Sequence, residues 1–320
     1  MKLEEIHRIS VVGAGLMGHG IAQTFIMAGY PVMLYDIDRS ILERATANIE
    51  QNLKLFSRFD LISEAEIGPC LDRLTTTVDL KACVQEGDFI LEAATEDVTL
   101  KQELFEEIES YCKDEAILAS NTSSLTMAEM GVRVKKKERL VITHWFNPPH
   151  IVPTVEVVRA PWTSDETLDT AYALHKKLKK LPVKINRELQ GFVVNRIQTA
   201  LAREVFSLYD QGIASAEDID RAVRGSIGFR LASIGPLQTV DFGGVKLWLR
   251  AYQNLAPVIE SSPGPPKALQ RLAEEGHEGI KTGKGFYDYS GGEADEAMQR
   301  RDREFLNRLK NLYWQRETEK

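Results

Sequence analysis

His144 and Glu156 are the side chains best suited to acid–base chemistry in this sequence. His144 lies near the end of an apolar run that predicts a strand over residues 140–145, and Glu156 lies in the next predicted strand, 155–159. Histidine titrates near neutral pH, so it can both take up and return a proton. A carboxylate on its other ring nitrogen fixes the tautomer and stabilises the imidazolium. The pair therefore predicts a site for general acid–base catalysis.

A glycine-rich motif follows the first predicted strand, residues 7–13. The GxGxxG consists of Gly13, Ala14, Gly15, Leu16, Met17 and Gly18. Gly13 permits a tight turn, Gly15 lets a pyrophosphate approach the backbone, and Gly18 lets the helix predicted over 19–29 pack closely on the sheet. The helix N-terminus offers N–H groups to phosphates. The motif predicts a dinucleotide site; a tight turn that binds no ligand is the alternative.

The end of the second predicted strand, residues 32–36, indicates which dinucleotide is bound. Its last residue is Asp36. A carboxylate at this position can bind both ribose hydroxyls and repels a 2′-phosphate, which favours NAD over NADP. Arg39 leaves the other possibility open, because a nearby arginine can accept that phosphate.

Further strands and helices alternate along the first part of the chain. Strands are predicted at 75–78, 89–94, 116–120 and 182–185, with a pair of helices over 40–67 that turns near 59–63, and helices after residue 98 and over 165–180. This alternation predicts a parallel sheet covered on both faces. His144 would then lie at the carboxyl end of a strand, where open sheets bind ligands.

Beyond residue 190 the pattern is helical. Helices are predicted over 191–211, 215–226, 236–258 and 265–275. The charged tail carries an apolar stripe, which predicts a helix that packs on its own domain or on a second subunit. The stripe consists of Met298, Phe305, Leu309 and Leu312.

Composition excludes several classes of protein. The chain has 320 residues, of which 43% are hydrophobic and 27% are charged, which suits a globular protein of two domains. A net charge of −7 argues against a general binder of nucleic acids or anionic membranes. The cysteines, Cys70, Cys83 and Cys112, show no metal-binding spacing, so we expect free thiols and no metal site. No signal peptide or membrane-spanning run is found, and we expect a soluble cytoplasmic protein.

Several motifs occur in one order along nearly the whole chain up to Tyr289. They are SNTSSL (120–125), THWFNPP (143–149), VEVV (155–158), EAATE with Lys101 (92–101), GFVVNR (191–196) and KTGKGFYDY (281–289). In these motifs the sequence resembles the 3-hydroxyacyl-CoA dehydrogenases. The resemblance implies oxidation of a 3-hydroxyacyl-CoA by NAD, a role in fatty acid metabolism and a homodimer formed by the helical domain.

The resemblance also implies the roles of individual residues. His144 would be the general base and Glu156 its partner, while Ser123 and Asn195 would bind the substrate oxygen. The cofactor site would include Gly13, Ala14, Gly15, Leu16, Met17, Gly18, Asp36, Glu96, Lys101, Asn147 and Lys281. A solvated surface charge is the alternative for Glu96, Lys101 and Lys281.

The fold implied by the resemblance has three parts. An α/β Rossmann-type N-terminal domain covers residues 1–187, and an all-α domain like the C-terminal domain of 6-phosphogluconate dehydrogenase covers 188–290. A charged helical tail covers 291–320. The active site would lie between the two domains. Phe206, Leu208, Leu247 and Trp248 could bury a subunit interface or simply form core.

Departures from the family pattern concern the substrate. The runs NPPHIVP (147–153) and GFR (228–230) look more like the lambda-crystallin/L-gulonate 3-dehydrogenases and the pyridine-carboxylate dehydrogenases. His150 and Arg230 could contact a small carboxylate, or be a loop histidine and an exposed arginine. The 40–67 segment, which contacts CoA in acyl-CoA members, has few cations for CoA phosphates.

Three functions therefore remain open at this point. A short-chain (S)-3-hydroxyacyl-CoA such as 3-hydroxybutyryl-CoA is the first expected substrate, and a small free hydroxy acid or alcohol is the second. The third possibility is a non-catalytic, crystallin-type structural protein. The simultaneous presence of Ser123, His144, Glu156 and Asn195 argues against it.

Overall fold

The computed structural model describes residues 1–314, which form two compact units. Unit 1 comprises Met1–Val193 together with the described residues from Arg301 onwards, and unit 2 comprises Val194–Arg300. The chain therefore leaves unit 1 once and returns to it. The domain boundaries predicted from the sequence lie at residues 187 and 290.

Unit 1 is built on one eight-stranded sheet with the strand order β3-β2-β1-β4-β5-β6-β7-β8. Its strands are β1 Ile9–Val12, β2 Val32–Tyr35, β3 Leu74–Thr77, β4 Phe89–Glu92, β5 Ile117–Ser120, β6 Leu140–Trp145, β7 Thr154–Val158 and β8 Leu181–Ile185. All eight predicted strands are thus confirmed. The central strands β1, β4, β5 and β6 are buried throughout, as expected for a sheet covered on both faces.

The sheet departs from the predicted parallel arrangement at one step. Strand β7 runs antiparallel to β6, whereas every other neighbouring pair is parallel. Residues 146–153 connect the two strands and contain no helix. A parallel return needs a crossover of about a dozen residues, so this short link can only reverse the chain.

Seven helices of unit 1 lie between these strands. They are α1 Gly18–Met27, α2 Arg39–Arg58, α3 Ile67–Leu71, α4 Leu80–Val84, α5 Val98–Tyr111, α6 Met127–Met130 and α7 Asp165–Lys177. Aspartates cap three of them: Asp38 accepts from the N–H of Ser40, Asp79 from that of Ala82, and Asp97 from that of Leu100. Helix α2 buries a stripe at helical spacing that includes Leu42, Ile49 and Phe56.

Unit 2 is helical. Its helices are α8 Val194–Asp210, α9 Ala216–Val223, α10 Phe229–Leu231, α11 Pro236–Gly243, α12 Val245–Leu255 and α13 Lys267–Glu274. The single helix predicted over 236–258 is wrong, because the chain breaks at Gly244, whose φ is 88°. This left-handed conformation suits glycine and ends the helix.

The tail folds into helix α14, Glu293–Arg308, followed by a π-helical turn, Leu309–Trp314. Leu306 and Leu309 are buried together with Phe56 and Ile151 of unit 1. The predicted stripe is therefore wrong in one member, since Phe305 is 36% exposed whereas Leu306 is fully buried. Residues 315–320 of the predicted tail lie outside the described residues.

Within residues 1–314, no helix is both long and apolar enough to cross a membrane. Across the same residues, no group of three histidine, cysteine, aspartate or glutamate side chains is placed to hold a metal ion.

Candidate active site

The three glycines of the turn differ in how much free space surrounds them. A Cβ added at Gly13, where φ is 105°, would lie 2.6 Å from the carbonyl oxygen of Ala93, and one at Gly18 would lie 1.7 Å from the carbonyl oxygen of Gly13. A Cβ at Gly15 would meet no atom within 4 Å. Gly13 and Gly18 are thus required by the fold, whereas Gly15 leaves free space in which a pyrophosphate can approach the backbone.

Asp36 lies against this turn. Its Oδ2 accepts a hydrogen bond from the N–H of Ala14 at 2.9 Å, and its Oδ1 accepts one from the N–H of Asp38 at 3.2 Å. A carboxylate has about four lone-pair sites, so two further bonds to ribose hydroxyls are possible. These residues fit NAD. Arg39, which left NADP open, begins α2 just beyond.

His144 and Glu156 face each other across β6 and β7, where they are direct partners in the antiparallel register. His144 Nδ1 lies 2.8 Å from Glu156 Oε2, and Glu156 Oε1 accepts a hydrogen bond from the N–H of Val193 at 3.0 Å. Their exposed fractions are 4% and 0%. The structure thus brings the two side chains into the predicted contact, which engages Nδ1 and leaves Nε2 as the ring nitrogen outside this pair.

Aromatic rings surround the imidazole. The ring centroids of Phe146 and Phe192 lie 4.5 Å and 5.5 Å from that of His144. Phe192 is fully buried. Apolar walls lower the local dielectric constant, which strengthens the attraction between an imidazolium and its carboxylate. Asn147, an expected cofactor contact, follows Phe146 and is exposed.

Glu96 holds the loop that contains Ser123. Its Oε1 accepts hydrogen bonds from Thr122 Oγ1 at 2.6 Å and from the N–H groups of Ser123 and Ser124, both at 3.0 Å. Burial by itself raises the pKa of Glu96, but hydrogen bonds from Thr122 and Ser124 and the charge of Lys101 together lower it to about 2. The carboxylate is therefore ionised at any ordinary pH.

Lys101 is enclosed by protein groups. Its side chain is 1% exposed, and Nζ lies 2.6 Å from Glu92 Oε1 and 3.3 Å from Glu96 Oε2. Glu92 is not among the site residues predicted from the sequence. The signal was available, because a glutamate that ends an otherwise apolar buried strand needs a partner.

The remaining predicted residues are located as follows. Lys281 is on the surface of unit 2, where its Nζ lies 2.6 Å from Glu278 Oε2, and Asn195 is in the first turn of α8. His150 is partly buried near Phe56, and desolvation lowers its pKa to about 3, so it is neutral and a poor partner for a carboxylate. Arg230 is exposed on α10.

Comparison with known sequences decides the family. The sequence model of the 3-hydroxyacyl-CoA dehydrogenase NAD binding domain matches residues 8–189, and that of the C-terminal domain matches residues 191–289. The chain belongs to the 3-hydroxyacyl-CoA dehydrogenase family. It is an NAD-dependent oxidoreductase with a Rossmann-type domain and a helical domain, as the sequence predicts. Neither family model supports the crystallin-type, non-catalytic alternative.

Two of the similar proteins are named as dehydrogenases of hydroxyacyl-CoA compounds. The chain is 32% identical over 295 residues to the mitochondrial hydroxyacyl-coenzyme A dehydrogenase of Sus scrofa, covering 89% of this chain and 91% of the relative. It is 34% identical over 291 residues to the 3-hydroxybutyryl-CoA dehydrogenase of Clostridioides difficile, covering 88% and 99%.

Solved structures add a second kind of relative. The NAD-dependent 5-formyl-3-hydroxy-2-methylpyridine 4-carboxylic acid 5-dehydrogenase matches with a TM-score of 0.88 and 27% identity, covering 94% of this chain and 97% of that one. The (S)-3-hydroxybutyryl-CoA dehydrogenase of Ralstonia eutropha matches with a TM-score of 0.73 and 31% identity, covering 89% and 100%.

Proposed function

We propose that this enzyme oxidises a short-chain (S)-3-hydroxyacyl-CoA to the 3-ketoacyl-CoA, with His144 as general base. The contact of 2.8 Å between His144 Nδ1 and Glu156 Oε2 carries the proposal. Bound NAD supplies the hydride acceptor for this oxidation. The relatives named hydroxyacyl-CoA and 3-hydroxybutyryl-CoA dehydrogenase support the choice of substrate.

The protein's own part in the reaction is proton transfer. Glu156 accepts the hydrogen bond from Nδ1–H of His144, so the lone pair is on Nε2. Nε2 removes the proton from the substrate hydroxyl, and the resulting imidazolium is stabilised by the adjacent carboxylate. We propose that Ser123 and Asn195 bind the reacting oxygen, and that the glycine turn, Asp36, Asn147 and Lys281 bind the cofactor.

A small free hydroxy acid is the second candidate substrate. The match to the pyridine-carboxylate enzyme has the higher TM-score, and it covers more of this chain than the match to the acyl-CoA enzyme. The tail, which lies beyond the matched family domains, packs on Phe56 of α2. Lys54, one of the few cations of α2, is already paired with Glu50 at 2.5 Å. These observations favour a substrate that lacks the CoA phosphates.

Oxidation of NADH with acetoacetyl-CoA, compared with free 3-keto acids and pyridine aldehydes, distinguishes the candidates. Turnover of acetoacetyl-CoA with a kcat/KM at least ~10²-fold above that of free acetoacetate supports the first proposal. Turnover of free acids alone replaces it with the second. Absence of turnover across both panels contradicts both proposals.

We also propose a homodimer formed through unit 2. Helix α12 leaves a set of large apolar side chains more than half exposed, namely Val245 63%, Leu247 64%, Leu249 57%, Tyr252 70% and Leu255 58%. A contiguous apolar surface of this kind is typical of an interface. Light scattering at the mass of a monomer contradicts the proposal, and Tyr252→Lys should shift a dimer toward that mass.

A cytoplasmic location is the last part of the proposal. The three cysteines are free thiols, as in a reducing compartment. Several relatives are named as mitochondrial proteins, which makes the mitochondrion the alternative location. Recovery of the protein in an organelle or membrane fraction contradicts the cytoplasmic assignment.

A further inference from the structure

We propose that Glu92 and Lys101 are positioning residues that fix Glu96 and, through it, the backbone of Ser123. This inference rests on the proposed function in one respect, the contact of Ser123 with the substrate. The resemblance assigns Lys101 to the cofactor site, whereas the geometry points to an indirect role.

Glu92 anchors the start of the Ser123 loop. It is the last residue of β4 and the register partner of Ser120, the last residue of β5. Ser120 Oγ donates to Glu92 Oε2 at 2.5 Å, and the N–H of Asn121 donates to the carbonyl oxygen of Glu92 at 2.8 Å. The N–H of Thr122 in turn donates to Ser120 Oγ at 3.1 Å. Main chain and side chain of Glu92 therefore both bind the loop where it leaves the sheet.

Glu96 holds the other side of the same loop. Besides the bonds from Thr122 and the two backbone N–H groups, its Oε1 accepts a bond from Ser124 Oγ at 2.9 Å. All four donors converge on one carboxylate oxygen, so a shift of Glu96 must also shift the N–H groups of Ser123 and Ser124. The position of Ser123 thus depends on what holds Glu96.

Lys101 connects the two carboxylates. An ammonium has three N–H donors. Nζ has three acceptors within reach, Glu92 Oε1 at 2.6 Å, Glu96 Oε2 at 3.3 Å and the carbonyl oxygen of Ala94 at 3.4 Å. The side chain is 1% exposed, so these three protein groups surround the ammonium closely. Lys101 thereby holds the two carboxylates in place, and through them the loop.

A double-mutant cycle between Lys101 and Ser123 tests the proposal. We expect Lys101→Met to lower kcat by at least ~10-fold, because the loop shifts, while the Kd for NADH stays within ~2-fold. In a Ser123→Ala background the same change should alter kcat by less than ~2-fold, because the two residues act through one contact. Weakening of NADH binding by ~10-fold or more, or effects on kcat that simply multiply, overturns the proposal.

Backbone hydrogen exchange gives a readout that needs no turnover. Protection of the Ser123 and Ser124 amides should fall by at least ~10-fold in Lys101→Met. Lys113→Met is the matched control, because Lys113 pairs with Asp88 at 2.9 Å just before β4 and should leave these amides unchanged. Unchanged exchange in Lys101→Met, or an equal loss in the control, overturns the proposal.

Two further variants test the same network if Lys101→Met does not fold. The double variant Glu92→Gln with Lys101→Met removes both buried charges together, and Ser124→Ala removes one donor to Glu96 from an exposed position. Both should reduce protection of the Ser123 amide. If the wild-type protein oxidises no hydroxyacyl substrate, the proposed function fails, whereas the exchange experiment still tests this network.

Discussion

Asp36 accepts a hydrogen bond from the backbone N–H of Ala14, with 2.9 Å between Oδ2 and nitrogen. The bond joins the end of β2 to the glycine turn. It fixes a negative charge where the ribose of a dinucleotide is expected, and it holds the turn itself in place. We therefore expect this one side chain to affect both the choice of cofactor and the geometry of the glycine turn.

Asp36→Ala should reduce the preference for NAD. We expect kcat/KM with NAD to fall by about 10–100-fold, because the acceptor for the ribose hydroxyls is lost, while kcat/KM with NADP changes by less than ~3-fold. Steady-state kinetics with both cofactors measure this ratio. Asp38→Ala, which removes only the cap of α2, is the control. An equal decrease with both cofactors would show that Asp36 does not discriminate between them.

The glycines of the turn should respond differently to alanine. We expect Gly18→Ala to lower the free energy of unfolding by about 3 kcal/mol or more, because its Cβ would overlap the carbonyl of Gly13. Gly15→Ala should change that free energy by less than ~1 kcal/mol and yet weaken NADH binding by about 10-fold. Denaturant titration and NADH fluorescence measure the two effects. Normal NADH binding by Gly15→Ala would contradict the assigned phosphate site.

His144→Gln should reduce kcat by about 10²–10⁴-fold, because the general base is removed, and leave the Kd for NADH within ~2-fold. Glu156→Gln should also reduce kcat, since an amide can hold the ring in the wrong tautomer. Stopped-flow measurement of hydride transfer checks both variants. His7→Gln, at an exposed histidine, serves as control. Near-normal turnover by His144→Gln would exclude His144 from the mechanism.

His175 should make the protein sensitive to acid. Burial lowers the pKa of His175 from 6.5 to about 4, and a protonated Nε2 would find no acceptor there. Between pH 6.5 and 4 the unfolded chain binds a proton that the folded chain does not, so the stability contributed by the neutral ring is lost as the pH falls. At about 1.4 kcal/mol per pKa unit, the loss is about 3 kcal/mol.

The comparison with His175→Phe measures this loss. The variant keeps an aromatic ring near Phe89 and Trp145 and lacks the titrating group. Denaturant titrations at pH 6.5 and 4 should show a loss about 3 kcal/mol smaller in the variant than in the wild type. His7→Gln, at an exposed histidine, should behave like the wild type. An identical pH dependence in His175→Phe would disprove the assignment.

The strands and the glycine turn could be predicted because the local sequence determines each of them. Buried parallel strands are short apolar runs, and the GxGxxG has its meaning only between such a strand and a helix. The reversal at β7 was also available from the sequence, since residues 146–153 are too few for a crossover. The break at Gly244 was available from the paired glycines within 236–258.

Other features depend on tertiary contacts that the hydrophobic pattern of the sequence does not indicate. Phe305 and Leu306 are adjacent and both apolar, and only the surface of α2 decides that Leu306 is the buried one. Lys101 is a lysine on an amphipathic helix, for which a solvated position is the ordinary expectation. Its burial follows from its ion pairs with Glu92, which ends β4, and with Glu96 in the loop that follows.

His144 and Glu156 lie on the two strands of one β-hairpin, so the register of that hairpin decides whether the two side chains meet. Slippage of the ladder by one residue would set Val155 or Val157 opposite His144 and turn the carboxylate to the other face of the sheet. An insertion or deletion within 146–153 leaves the ladder untouched. Changes of loop length therefore preserve the register that sets His144 opposite Glu156, whereas a one-residue change within either strand separates the two side chains.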